Sequence, residues 1–210
     1  MARGMPGLWS VVVGVPIIGL GVYLFTFQTR VDSLAGIPFV VFGAFIIAVG
    51  LYVQFIAAPE EPTMREGEEI IDTRTPAQRA ALAKVLVSVP VLAVAVYLFY
   101  FTFYPYVYPT LALVAGLYLF STGLYTYWTN TLTVYYVTNK RLIKEYRFVS
   151  LIRSELPFDK VRGVQESRSI WETVAGLGDV RVQSGGGGLE ISIDNVYDST
   201  EFADLIRKQM

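Results

Sequence analysis

The sequence predicts a membrane protein with four transmembrane helices, arranged as two hairpins, followed by a small β module closed by one helix. Three observations carry this reading. Of 210 residues, 53% are hydrophobic and 17% charged, whereas an ordinary soluble domain holds about 25% charged residues. The charge is unevenly placed: residues 4–29 and 33–59 carry none, and none lies between Lys84 and Lys140. From Thr131 onward the long apolar runs give way to short β-branched and aromatic stretches separated by turn residues.

A hydrocarbon core about 30 Å thick needs roughly 20 apolar residues in a helix. Residues 8–27, 34–57, 81–103 and 108–128 meet that length. The apolar stretch after Lys84 is too long for one span, and Tyr104-Pro105-Tyr106-Val107-Tyr108-Pro109 divides it. Its prolines oppose helix and its tyrosines suit the headgroup level, so it reads as a hairpin tip. The domain organisation that follows is hairpin one over 1–57, an acidic linker over 58–80, hairpin two over 81–128 and a C-terminal module over 129–210. The first span is longer than the core of a signal peptide and ends in Phe25-Thr26-Phe27-Gln28-Thr29, so it is expected to stay as an anchor.

Orientation follows from Lys and Arg. Arg3, three arginines in the central loop and eleven basic residues after the fourth span stand against Arg30 alone in the first short turn. Both termini are therefore expected in the cytoplasm, with the chain multi-pass in the plasma membrane. The hairpins also echo each other. Val15-Pro16 precedes Val22-Tyr23-Leu24-Phe25 at the offset at which Val89-Pro90 precedes Val96-Tyr97-Leu98-Phe99, and Gly50-Leu51-Tyr52 matches Gly123-Leu124-Tyr125. Either a parallel repeat or chance similarity in apolar sequence accounts for this. Spacings such as Ala44/Ala48 and Ala112/Gly116 would let helices approach closely.

Several function classes drop out. The chain has no Cys and no His, which removes disulfides, thiolate and imidazole chemistry, and the usual zinc, copper and haem sites. No ionisable residue lies inside a span, since Lys84 can snorkel to the headgroups, so ion-coupled transport and voltage sensing lack their usual groups. Pro16, Pro38 and Pro90 read as structural prolines of membrane helices. Pro59-Glu60-Glu61-Pro62 and Glu66-Gly67-Glu68-Glu69 read as a solvated linker, with no fixed geometry for a divalent cation.

In the C-terminal region, strands are expected over 131–137, 141–149, 151–156, 161–169, 179–183 and 189–193. Asn139-Lys140 and Ser184–Gly188 supply turns. The tail from Asp198 to Arg207 has acids first, a base last and Phe202, Leu205 and Ile206 on one face, the pattern of a closing helix.

Tyr136-Val137-Thr138-Asn139-Lys140-Arg141-Leu142-Ile143, Glu155-Leu156-Pro157-Phe158-Asp159-Lys160-Val161 and Gly176-Leu177-Gly178-Asp179-Val180-Arg181-Val182 occur in that order. Over about residues 130–210 the chain resembles the bacterial pleckstrin-homology (PH)-like domain of small prokaryotic membrane proteins. The resemblance implies two nearly orthogonal antiparallel sheets of about seven strands closed by a C-terminal helix. It implies no particular ligand.

Residues 139–168 hold eight basic side chains against four acidic ones. Lys140, Arg141, Lys144 and Arg147 are therefore the candidates to face anionic headgroups, each worth about 1 kcal/mol near such a leaflet. The alternative is an ordinary solvated strand face. Gly185–Gly188 lacks the Lys-Ser/Thr of a phosphate loop and reads as a hairpin turn. Trp171 is expected to anchor a short helical connection to the core. Asp194 and Asp198 lack a companion base or electrophile, so no catalytic residue, metal site or cofactor is expected. The expected partners are the lipid bilayer, anionic lipids, another membrane protein or further copies of the chain, and not nucleic acid. The expected role is non-enzymatic, with the PH-like domain presented at the cytoplasmic face for binding or assembly. The alternative is a small channel or transporter subunit regulated by that domain.

Overall fold

The computed structural model describes residues 5–26, 36–57, 62–148, 150–185 and 190–210, apart from the side chains of Leu24, Tyr100, Trp171, Val174 and Ala175. The expectations for the Trp171 side chain and for residues 186–188 of the glycine run lie outside the described residues. The four apolar segments form helices α1 (Pro6–Thr26), α2 (Ile37–Phe55), α3 (Arg79–Phe101) and α4 (Val107–Thr131). Each is long and apolar enough to cross a membrane. Pro16 and Pro90 sit inside α1 and α3, and both helices run on through them.

Each hairpin packs through small residues spaced by seven. In the first, Gly7, Gly14 and Gly21 of α1 are buried, as are Gly36, Gly43 and Gly50 at and along α2. A Cβ on Gly43 would stand 2.7 Å from the Gly14 carbonyl oxygen, and one on Gly21 would stand 2.7 Å from that of Gly36. The backbones thus approach closely enough that only glycine fits, a contact that apolar lipid cannot outcompete. In the second hairpin the same spacing is occupied by Ala81, Ser88 and Ala95 of α3, all 0% exposed, and by Gly116 and Gly123 of α4. Gly14 stands two residues before Pro16, and Ser88 two before Pro90, so the packing positions share the register of the sequence echo. Ala44 and Ala48 are exposed; the contact runs instead through the glycines one residue before Ala44 and two after Ala48.

Among the described residues, seven strands form two antiparallel sheets. One has the order β1 (Ile70–Arg74), β2 (Thr133–Thr138), β3 (Arg141–Arg147), β4 (Leu151–Pro157); the other has β5 (Val161–Ser167), β6 (Leu177–Ser184), β7 (Glu190–Tyr197). Helix α5 (Ile170–Ala175) joins β5 to β6. It opens on a capping box in which Ser169 Oγ accepts from the Glu172 N–H and Glu172 Oε2 accepts from the Ser169 N–H. Gly176, at φ 67°, ends it in the left-handed region that glycine adopts without strain. Helix α6 (Ser199–Lys208) closes the chain with Phe202, Ala203 and Ile206 fully buried. These pack with Tyr135, Val137, Leu142, Leu156, Val180 and Ile193 in the main apolar core.

The expectation of a solvated linker over 58–80 is corrected by β1. Ile70 pairs with Thr138, and Asp72, Thr73 and Arg74 pair with Val137, Tyr136 and Tyr135 across a bulge. The seventh strand therefore precedes the second hairpin, and α3–α4 is inserted between two neighbouring antiparallel strands. Short, charged edge strands give a weak sequence signal, and only Ile70 and Ile71 mark this one. The two ends of the insertion are tied to each other and to β7. Gln78 donates to the Tyr127 carbonyl at 3.3 Å and to Thr131 Oγ1 at 3.0 Å, and Asn130 donates to the Ala77 carbonyl at 3.0 Å. The Ala77 N–H donates to the Asn195 carbonyl at 2.8 Å, and the Arg79 guanidinium lies 5.1 Å from the Tyr197 ring centre.

The chain divides into two compact units. Met1–Pro62 with Tyr146–Ile152 forms one, and Thr63–Glu145 with Arg153–Met210 forms the other. The second thus contains α3 and α4 together with most of both sheets.

Joining residues 63–75 to 133–210 through a short Asn-Gly turn in place of 76–132 retains all seven strands. That chain is expected to melt cooperatively by circular dichroism, whereas residues 133–210 alone are not. Equal cooperativity in both would show β1 to be dispensable.

Candidate functional site

The region of the module richest in buried charge lies where the β2–β3 turn meets residues 63–69. Arg141, first residue of β3, is 4% exposed. Its Nε donates to Glu68 Oε1 at 2.8 Å and its NH2 to Glu68 Oε2 at 2.9 Å, a two-pronged pair. NH2 also donates to the Thr63 carbonyl at 3.1 Å, and NH1 donates to Glu155 Oε2 on β4. The Thr138 hydroxyl donates to Glu68 Oε1 at 2.8 Å, and the Arg65 N–H to Oε2 at 2.8 Å. Burial pushes the Glu68 carboxyl up, but the hydrogen bonds from Arg141, Arg65 and Thr138 and the Arg141 charge outweigh it and hold its pKa at about 2. The Glu68 hydrogen bond, with the charges of both glutamates, holds the guanidinium above its ordinary value despite burial.

The turn that delivers Glu68 is locked to the β2–β3 turn. Gly67 adopts φ 69°, its carbonyl accepts from Asn139 Nδ2 at 3.1 Å, and the Glu66 carbonyl accepts from Lys140 Nζ at 2.6 Å. Asn139 Oδ1 accepts from the Glu69 N–H at 3.2 Å. A second pair lies further along β3, where Arg153 donates to Glu145 Oε2 at 3.1 Å and Glu145 is 1% exposed.

Lys140, Arg141, Lys144 and Arg147 are not gathered on one open face. Arg141 is withdrawn from any headgroup surface, because its guanidinium is buried against two carboxylates. Lys140 is exposed and hydrogen-bonded to Glu66. Lys144 points to the other side of β3 from Arg141. It donates to the Ser192 carbonyl at 2.6 Å, stands 3.9 Å from Asp194 Oδ2 and lies 5.5 Å from the Tyr135 ring centre. Arg147 ends β3, half-buried. Sequence spacing alone could not separate an outward arginine from an inward one, because the carboxylate that turns Arg141 inward lies 73 residues earlier.

A second polar cluster surrounds Tyr135, which is 1% exposed. Its hydroxyl accepts from the Asp194 N–H at 3.3 Å, and burial pushes the phenol up. Asp179 accepts from the Asn195 N–H at 2.7 Å; burial raises its carboxyl, as do the neighbouring charges of Glu172 and Asp194. These bonds hold Asn195 at φ 54°. At the start of α6, Glu166 Oε1 accepts from Ser199, Thr200 and Arg168 at 2.7, 2.9 and 2.8 Å. The carboxylates of these clusters accept hydrogen bonds from within the module, as in structural polar networks.

Four membrane-length helices and a module of four plus three antiparallel strands closed by a helix define a membrane-attached PH-like protein. A family model described as Bacterial PH domain matches residues 77–210, and the chain belongs to that family. The matched range begins after β1 and includes the inserted hairpin. No curated protein and no solved structure matches the chain.

Removing one member of a buried pair leaves the other charge unpaired, at a cost of about 3 kcal/mol. Glu68→Gln is expected to lower the stability of the detergent-solubilised chain by about that amount in chemical unfolding. An ionised Glu68 favours the folded state above its ordinary pKa of about 4.3, and this contribution fades between that pH and about 2. The wild-type melting temperature should therefore fall over that interval more steeply than that of the Gln variant.

Proposed function

We propose that the chain is a multi-pass protein of the plasma membrane whose helices hold the PH-like module at the cytoplasmic face as a non-enzymatic binding platform. Its ligands are lipid headgroups or a protein, a further copy of the chain included. The observation that carries this reading is the insertion of α3–α4 between β1 and β2. A module with membrane-length helices in place of its first turn is held at the ends of those helices at two points, where a single tether would let it swing. The excess of Lys and Arg in the central loop and the C-terminal region supports the cytoplasmic side.

Polymer-bounded discs of native membrane can be purified through the full chain and through a chain ending at residue 132, and their lipids compared. Enrichment of an anionic phospholipid or of one protein with the full chain alone is expected. Equal enrichment with both would move the interaction to the helices, as a channel or carrier subunit requires.

A further inference from the structure

Between Arg147, the last residue of β3, and Arg153 the chain reads Phe148-Val149-Ser150-Leu151-Ile152, five residues without a charge of which Leu151 and Ile152 open β4. This segment belongs to the compact unit of α1 and α2. Tyr52, in the last turn of α2, donates its hydroxyl to the Phe148 carbonyl at 2.6 Å. The two rings meet edge to face, with centroids 5.8 Å apart and planes at 86°. The Phe148 N–H donates to the Ser150 carbonyl at 3.4 Å. Both backbone groups of Phe148 are thus satisfied within the protein, as backbone at membrane depth must be. Leu151 and Ile152 follow at 45% and 56% exposure. At the end of α2, Phe55 and Ile56 are 60% and 69% exposed.

Connections of soluble proteins are built from polar and small residues, and large apolar side chains exposed at Leu151 and Ile152, where such a connection enters a strand, call for a nonaqueous neighbour. The depth of that neighbour is set by Tyr52. A residue touching the final turn of a membrane-length helix stands at the boundary between acyl chains and headgroups, where a tyrosine with an apolar body and a polar tip also belongs.

We infer that Phe148 with the first two residues of β4, Leu151 and Ile152, forms a membrane-inserting wedge seated in the bilayer interface beside the C-terminal end of α2. The occupant of this surface is the acyl–headgroup boundary of the bilayer. The inference rests on the membrane reading above and deepens it, since the lipid contact is made by aliphatic side chains where sequence spacing pointed to Arg141 and Lys144. Such a contact depends on buried apolar area and little on salt.

The chain has no cysteine, so a single introduced one carries the only label. Ile152→Cys, Phe55→Cys and Gln183→Cys, the last exposed on β6, are each labelled with an environment-sensitive fluorophore in the full chain. They are then reconstituted in phosphatidylcholine vesicles containing lipid with a nitroxide near the headgroup. The label at 152 is expected to be quenched as strongly as that at 55 and at least about threefold more than that at 183, with no change on adding salt. Quenching at 55 with a 152-to-183 ratio near one overturns the wedge and leaves the membrane reading standing. No quenching at 55 overturns both. Disulfide cross-linking of Ile152→Cys between copies, without lipid quenching, overturns the wedge in favour of a self-interface.

Discussion

A guanidinium cannot shed its charge inside a protein, and Arg141 has been taken out of water. It therefore needs carboxylates, and the sequence around it offers few. Glu155 on β4 satisfies one prong, but the two-pronged partner is Glu68, far upstream. Bringing Glu68 to Arg141 lays residues 63–69 against the β2–β3 turn. The chain that follows emerges alongside β2 and becomes β1. The position of the first strand, the start of α3 and the closure of the four-stranded sheet all descend from that one demand.

The pair does more for register than for bulk stability. Desolvating two ions costs several kcal/mol each, and their attraction roughly repays it. Burying a Val, Leu or Ile contributes about 1.5–3 kcal/mol, so the cluster shared by both sheets and α6 supplies most of the stabilisation. On β3, Arg141, Ile143 and Glu145 alternate along one face and are all nearly fully buried. A slip by one residue would expose both ion pairs' partners to apolar neighbours. Two charges flanking an isoleucine thus make one alignment of the sheet far better than its alternatives.

The sequence is legible where a single physical signal dominates. Charge exclusion over twenty residues marks each membrane helix within a few positions, and β-branched alternation marks six strands. Phe202 and Ile206 are readable as a core face because the helix period repeats them. Ile70 and Ile71 are two apolar residues in an acidic stretch, and the pairing of Ile70 to Thr138 and of Asp72 to Val137 is a long-range fact with no local trace. The same distance hides the inward turn of Arg141. The glycines of the first hairpin recur every seven residues in the sequence itself. Glycine is common in apolar sequence, and only the close approach of Gly14, Gly21 and Gly43 to a facing backbone gives that spacing its meaning.

The insertion of a helical hairpin between paired strands has a topological consequence. β1 and β2 lie side by side, so the chain must leave and re-enter the sheet from one side of the membrane. Residues 75–132 can therefore cross the bilayer only an even number of times. During synthesis β1 emerges first and has no partner until both helices have been placed and the chain has returned. Sheet closure is in this sense a parity check on insertion: a hairpin that crossed once would carry β2 to the opposite compartment, and the module would not form.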